Sequence, residues 1–158
     1  MRKLTMTIAA LGLAAAGTTV PAAAATAAPD VAAANHCNSV WPGRNGQMYA
    51  WNSTYCYNLL GHTAGNDSNW GDNAGAFRGS DQDAASSVMN AGYVGNLDVV
   101  AFYYYSGYSG GYGCLSPNEY FVDDLSRNTF TTGYNMNNNI RSHRWVNSTN
   151  CSGSSWMS

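Results

Sequence analysis

A short polar hexad occurs twice in this chain, and that duplication constrains the fold more than any other feature. Gln82-Asp83-Ala84-Ala85-Ser86-Ser87 and Asn138-Asn139-Ile140-Arg141-Ser142-His143 share the pattern (Asn/Asp/Gln)-(Asn/Asp)-x-x-Ser-(Ser/His). Aligned this way, Asp83 and Asn139 lie 56 residues apart, as do Ser86 and Ser142. Each copy follows a stretch rich in Tyr, Gly and Asn. A chain that repeats itself at such a spacing is built from two copies of one unit.

The residues between the repeats suit strands and turns. Only 10% of the chain is charged, while 13% is aromatic, and Tyr, Trp, Phe and Val fill the intervals between turn formers. Gln47–Trp51 is an expected strand. Leu97–Tyr105 is the strongest, and Glu119–Val122 and Ile140–Val146 are two more. Gly107, Gly110, Gly111 and Gly113 punctuate a hairpin. Residues 65–79 read as a long irregular loop whose Trp70 and Phe77 act as buried plugs, and residues 126–139 as a second polar loop. Many short strands with regular turn signals predict an all-β sandwich or Greek-key arrangement.

The first residues read as an export signal. Arg2 and Lys3 precede an apolar stretch, Thr5–Gly17, too short to span a bilayer. Small residues then offer A-x-A cleavage sites at Ala23-Ala24-Ala25 and Ala25-Thr26-Ala27. The expectation is a signal peptide at 1–27, a flexible leader at 28–36, one domain at 37–151, a tail at 152–158, and an extracellular, monomeric protein. The whole chain carries a net charge of −2; without Arg2 and Lys3, five Arg face nine acids, giving −4 and no Lys. Neither nucleic acid nor a membrane surface is an expected partner, because both call for a basic face.

Four cysteines follow the leader: Cys37, Cys56, Cys114 and Cys151. An even count in an exported protein reads as disulfides. Of the three pairings, Cys37–Cys56 with Cys114–Cys151 is favoured, since each bridge then staples one repeat. No C-x-x-C occurs and His36, His62 and His143 are scattered, so a zinc site is not expected.

Tyr103-x4-Tyr108-x-Gly110 resembles the aromatic-x4-aromatic-x-Gly signature of the β/γ-crystallin Greek-key motif, and the hexads resemble that family's second signature. In such a hairpin the Gly takes a conformation closed to other residues, and an aromatic packs over the turn. The resemblance implies two Greek-key motifs, at about 45–97 and 98–147, packed as a disulfide-stapled β/γ-crystallin-like sandwich. In the first motif, a start at Tyr49 puts Thr54 at the second aromatic position and Cys56 at the Gly position. That hairpin is therefore expected to be reshaped around a Cys56 disulfide.

With the export signal and Arg141-Ser142-His143-Arg144-Trp145, the chain also resembles the secreted actinobacterial peptidase inhibitors of the Streptomyces metalloproteinase inhibitor type. This implies a non-enzymatic inhibitor of an extracellular metallopeptidase that presents a substrate-like loop held extended, so that binding costs little ordering entropy. The matching loop is Cys114-Leu115-Ser116-Pro117. Leu115 would enter the S1′ pocket of a thermolysin-like enzyme, and Pro117 would stiffen the loop. No second Cys follows at 118–120, so the loop would hang on a distant bridge. No cofactor is required; calcium is the one the hexads suggest, through Asp83, Ser86, Asn138, Asn139 and Ser142. Hard cations ask for six to eight oxygens, and the same side chains can instead cap turns.

The alternative is a secreted carbohydrate-binding, cell-wall-binding or toxin-like module that uses Tyr103, Tyr104, Tyr105, Tyr108 and Tyr112. Alternate residues of a hairpin point inward, which would leave about half of them free. Gly107-Tyr108-Ser109-Gly110-Gly111 matches G-x-S-x-G, but the chain is too short and too β-rich for the strand–turn–helix that this motif needs. His143 has no patterned partner as a catalytic base and is expected to be packed.

Overall fold

The computed structural model describes residues 36–158. The signal and most of the leader lie outside the described residues. Seven strands follow: β1 (Gln47–Trp51), β2 (Leu59–Thr63), β3 (Ser87–Ala91), β4 (Val99–Tyr105), β5 (Ser109–Leu115), β6 (Phe121–Val122) and β7 (Ser142–Val146). They form two antiparallel sheets, in the orders β2-β1-β3-β6 and β5-β4-β7. Each repeat thus supplies a hairpin and a return strand to its own sheet.

Its third segment crosses to the other sheet. β6, from the second repeat, pairs with β3 of the first. In exchange, Asp67 of the first repeat pairs with His143 of β7 through two backbone bonds, of 3.0 and 2.9 Å, and Trp70 N–H bonds to Arg141 O. These are two interlocked Greek keys, the arrangement that the crystallin resemblance implies. Interlocking removes two sheet edges that would otherwise be open to pairing.

The sandwich core lies between the sheets. Met48, Ala50 and Val88 meet Val100, Phe102, Leu115 and Ile140, and all are fully buried. Trp70 and Phe77 from the 64–78 loop stack on each other at 4.0 Å and are also wholly buried, as plugs. β2 and β3 were not expected from sequence. β3 is Ser-Val-Met-Asn-Ala, with every residue buried, so it shows no alternation to read. Residues 152–158, set apart above as a tail, fold onto the open side of β5. Met157 N–H bonds to Cys114 O, Met157 enters the core, and Ser158 and Asn128 exchange two bonds.

The two repeats correspond in a register that the sequence alignment misses. Ser87 Oγ donates to Ser53 O and accepts from Cys56 N–H; Ser142 Oγ donates to Tyr105 O and accepts from Tyr108 N–H. Asp83 N–H bonds to Ile140 O, and Asn138 N–H to Ala85 O. Ser87 therefore matches Ser142, and Asp83 matches Asn138, each 55 residues on rather than 56. In the hairpins Trp51, Cys56 and Asn58 match Tyr103, Tyr108 and Gly110. The backbone agrees, with positive φ at Cys56 (60°) and Tyr108 (56°), and at Asn58 (58°) and Gly110 (76°). The first signature is thus Trp51-x4-Cys56-x-Asn58, not one starting at Tyr49, and His143 stands where the first repeat has Val88.

Cys37 is bonded to Cys56 and Cys114 to Cys151. The first bridge ties the hairpin position of Cys56 to the start of the domain. The second ties β5 to the chain beyond β7.

Candidate functional site

The segment expected to inhibit a peptidase is not presented on a loop. Cys114 and Leu115 lie within β5, Leu115 opposite Val100, and both are fully buried. Pro117 is buried too, and its carbonyl accepts from the Arg44 guanidinium. Ser116 is half-buried, its Oγ holding Asn118 N–H. A core leucine has no path into an S1′ pocket, so the substrate-like role expected of Leu115 is not available in this fold.

The two hexads lie side by side, Asp83 N–H bonding to Ile140 O and Asn138 N–H to Ala85 O, and their side chains are bonded within the protein. Asp83 is paired with Arg141, whose Nε lies 3.0 Å from both carboxylate oxygens. That bond to Asp83 raises the guanidinium pKa above its ordinary value, against a smaller opposing effect of burial. Ser86 Oγ donates to Asn138 Oδ1 at 3.3 Å. Asn139 turns its amide to the carbonyls of Asn135 and Asn137, and Ser142 is consumed in closing its hairpin. In the corrected register Arg141 matches Ser86, so a guanidinium faces one half of the hexad pair. Among the described residues no group of three or more His, Cys, Asp or Glu is placed to hold a metal. In this structure the five side chains are engaged in bonds within the protein.

His143 is packed, as expected. Its Nδ1 accepts from the Trp70 indole N–H at 2.9 Å, and its Nε2 lies 3.1 Å from Gly65 O. Trp70, Phe77 and Phe102 surround the ring. Burial pushes its pKa down to about 4, against the smaller opposing pulls of the Gly65 carbonyl and Asp67. The imidazole locks the 64–78 loop onto β7. Ser109 Oγ donates to Ser106 O at the start of β5, not on the strand–turn–helix of a hydrolase elbow.

The tyrosine cluster is mostly committed to packing. Tyr103 is buried, and Arg144 donates to its hydroxyl at 2.8 Å while lying over the Tyr103 and Tyr108 rings. Tyr108 and Tyr112 pack with Val99, Val146 and the Cys114–Cys151 bridge on the outer face of the second sheet. Tyr104 stacks on Tyr134 and meets Phe130 edge-on. Only Tyr105 stands exposed, over Gly110.

The most exposed apolar surface lies elsewhere, where the chain passes from the first repeat to the second. Tyr93, Val94 and Leu97 are 67%, 70% and 64% exposed. Their loop is braced at its root by Asn90, which is fully buried and fully bonded. Its Oδ1 accepts from Gly92 N–H, and its amide donates to Asp98 O and Leu115 O. Asp98 Oδ2 accepts from Gly95 N–H, and Arg44 donates to the carbonyls of Asn90 and Gly92. Arg44 itself lies against the rings of Trp41 and Tyr120, which meet edge-on.

Beneath this loop runs a groove of about 390 Å³ lined by Gly46, Gly65, Asn66, Tyr93, Leu97 and Trp145, with Ala64 and Gly92 completing it. Two glycines admit the rings. A Cβ at Gly46 would stand 2.8 Å from the Tyr93 ring, and one at Gly92 would stand 2.5 Å from that of Trp145. Asn66 Oδ1 accepts from Trp145 N–H at 2.8 Å. Sequence reasoning missed this region, although its signal was present: Tyr93, Val94 and Leu97 are spaced by Gly and Asn at the junction of the repeats.

No family model matches the chain, and no curated protein does. A solved structure described as "Evolution of the eye lens beta-gamma-crystallin domain fold" is similar at 18% identity, with a TM-score of 0.47, covering 67% of this chain and 89% of its own.

Proposed function

We propose that this chain is an extracellular, non-enzymatic inhibitor of a peptidase that docks through residues 93–97 rather than through Leu115. One observation carries the reading: Tyr93, Val94 and Leu97 stand 67%, 70% and 64% exposed on a single short loop. Large apolar side chains gathered on one exposed loop mark a contact for another macromolecule. The bonds made by Asn90, Asp98 and Arg44 hold that loop before any partner arrives, so docking orders little. The choice of a metallopeptidase rests on the resemblance carried by the Arg141–Trp145 motif, and not on the loop. Val94, the most exposed of these side chains, anchors that contact. Two disulfides are compatible with an extracellular setting. No helix among the described residues is long and apolar enough to cross a membrane.

The test is a titration of the oxidised protein against thermolysin, following a small peptide substrate. The expected result is stoichiometric inhibition that Val94→Asp weakens about 30-fold or more, a hot-spot loss of about 2 kcal/mol, with the melting temperature unchanged. Absence of inhibition by the unaltered protein removes the reading, as does full inhibition by Val94→Asp.

A further inference from the structure

We infer that the groove beneath the 93–97 loop is a saccharide subsite for a neutral, pyranose-based chain, adjoining the peptidase contact and sharing Tyr93 and Leu97 with it. Four observations carry this. First, its lining holds no carboxylate, guanidinium or imidazole side chain: it is Gly, Ala, Asn, Leu, Tyr and Trp. A phosphate, a carboxylate or an amine would find no countercharge there, which leaves an uncharged ligand. Second, its volume of about 390 Å³ falls in the range of small-ligand sites.

Third, both rings lie against backbone. Gly46 and Gly92 leave Tyr93 and Trp145 room to settle where any side chain would collide with them. Tyr93 remains 67% exposed, so an aromatic surface stays open to solvent. Amphipathic rings of this kind suit ligands with one apolar face and one polar edge. The C–H face of a pyranose and its ring of hydroxyls answer that description.

Fourth, the wall holds a donor free to meet a ligand. Asn66 is exposed, spends its Oδ1 on the Trp145 backbone N–H and commits no amide N–H to the protein. Sugar hydroxyls supply acceptors to that amide, and a purely aliphatic ligand supplies none.

The probes are cellohexaose and chitohexaose, titrated into the full oxidised protein by NMR and tryptophan fluorescence. The expected result is saturable binding of at least one of them, with shifts at residues 64–66, 92–93 and 145. Asn66→Asp keeps the acceptor for Trp145 N–H but loses the amide donors. It should weaken binding about 10-fold, or by about 1.4 kcal/mol, with an unchanged melting temperature. No binding of either oligosaccharide overturns the inference. So does binding that maps to Tyr105 and Tyr134, or binding that Asn66→Asp leaves intact, or self-association that covers the groove. Asn66→Asp leaves the 93–97 loop unaltered, so thermolysin inhibition should survive it. The two readings therefore fail separately.

Discussion

In the first repeat, Asn58 and Ser53 close the hairpin through a 2.9 Å side-chain hydrogen bond. At the matching place in the second, Tyr105 lays its ring on Gly110. Cys56, bonded to Cys37, stands where the second repeat has Tyr108 packed edge-on against Tyr103. The backbone is alike in both, down to paired positive φ values. Two chemistries therefore satisfy one geometry: a polar pair with a covalent tie, and an aromatic stack with a glycine. What the fold demands is a left-handed position that Gly or Asn can occupy and a buried serine beneath the turn.

If the bridges and the aromatics are alternative ways of holding a hairpin, removing the bridges gives the largest effect. In the chain-entropy account, the Cys114–Cys151 bridge, with a separation of 37, contributes about 4 kcal/mol. Cys37–Cys56, with a separation of 19, contributes about 3 kcal/mol. Denaturant unfolding of the two double Cys→Ala variants measures both. If Cys56 does the work of the missing aromatic, its removal should cost more than loop length alone predicts, and the order of the two should reverse.

His143 and Val88 form the next contrast, as the repeats place an imidazole and an isopropyl group at matching core positions, both fully buried. The His143 pKa is about 4 in the fold against its ordinary 6.5. The fold thus favours the neutral ring. Its contribution is complete above pH 6.5, falls as the pH drops through that value, and is gone near pH 4. A shift of this size corresponds to about 3 kcal/mol. His143→Gln can still accept from Trp70 and donate to Gly65, but it never charges. Unfolding curves at pH 7, 6, 5 and 4 should show the unaltered protein losing more stability than this variant between pH 6.5 and 4. Parallel curves would sink the assignment.

The paired serines sharpen the register itself. Ser87→Ala leaves Cys56 N–H without its acceptor, and Ser142→Ala does the same to Tyr108 N–H. Each loss should cost about 2 kcal/mol, and the two should agree within experimental error. In the alignment read from sequence, Ser86 rather than Ser87 matches Ser142. Ser86→Ala, which removes a bond only to Asn138, should cost much less.

These contrasts also show what the sequence could and could not tell. The duplication, the strand at 47–51, most of the strand expected at 97–105 and the plugs Trp70 and Phe77 were legible, because periodicity, β-propensity and turn formers all pointed the same way. The register slipped by one because Ser86-Ser87 offers two adjacent serines, and only hydrogen bonding tells which closes the hairpin. β3 escaped because a strand buried on both faces has no polar alternation. Leu115 looked presentable because Cys-Leu-Ser-Pro reads locally as a loop, while its burial is decided by pairing with Val100 on another strand. The groove needed three segments, near 46, 64–66 and 92–97, brought together on Trp145. No local pattern encodes that convergence.

The smallest effect tests the turn position alone. Gly110 has φ +76°, and a Cβ there would lie 2.7 Å from the Tyr105 ring. Gly110→Ala meets both obstacles, and it should cost about 1–2 kcal/mol for the left-handed backbone plus a displaced ring. Asn58 has a similar φ of 58° but is exposed, with only Ser53 to satisfy. Asn58→Gly removes that bond while easing the backbone, so the two terms nearly cancel to within about 0.5 kcal/mol. Melting curves of both variants check the pair. If Asn58→Gly destabilises as much as Gly110→Ala, the Ser53 bond matters as much as the aromatic stack. The first hairpin would then be held by that polar pair as firmly as by its disulfide.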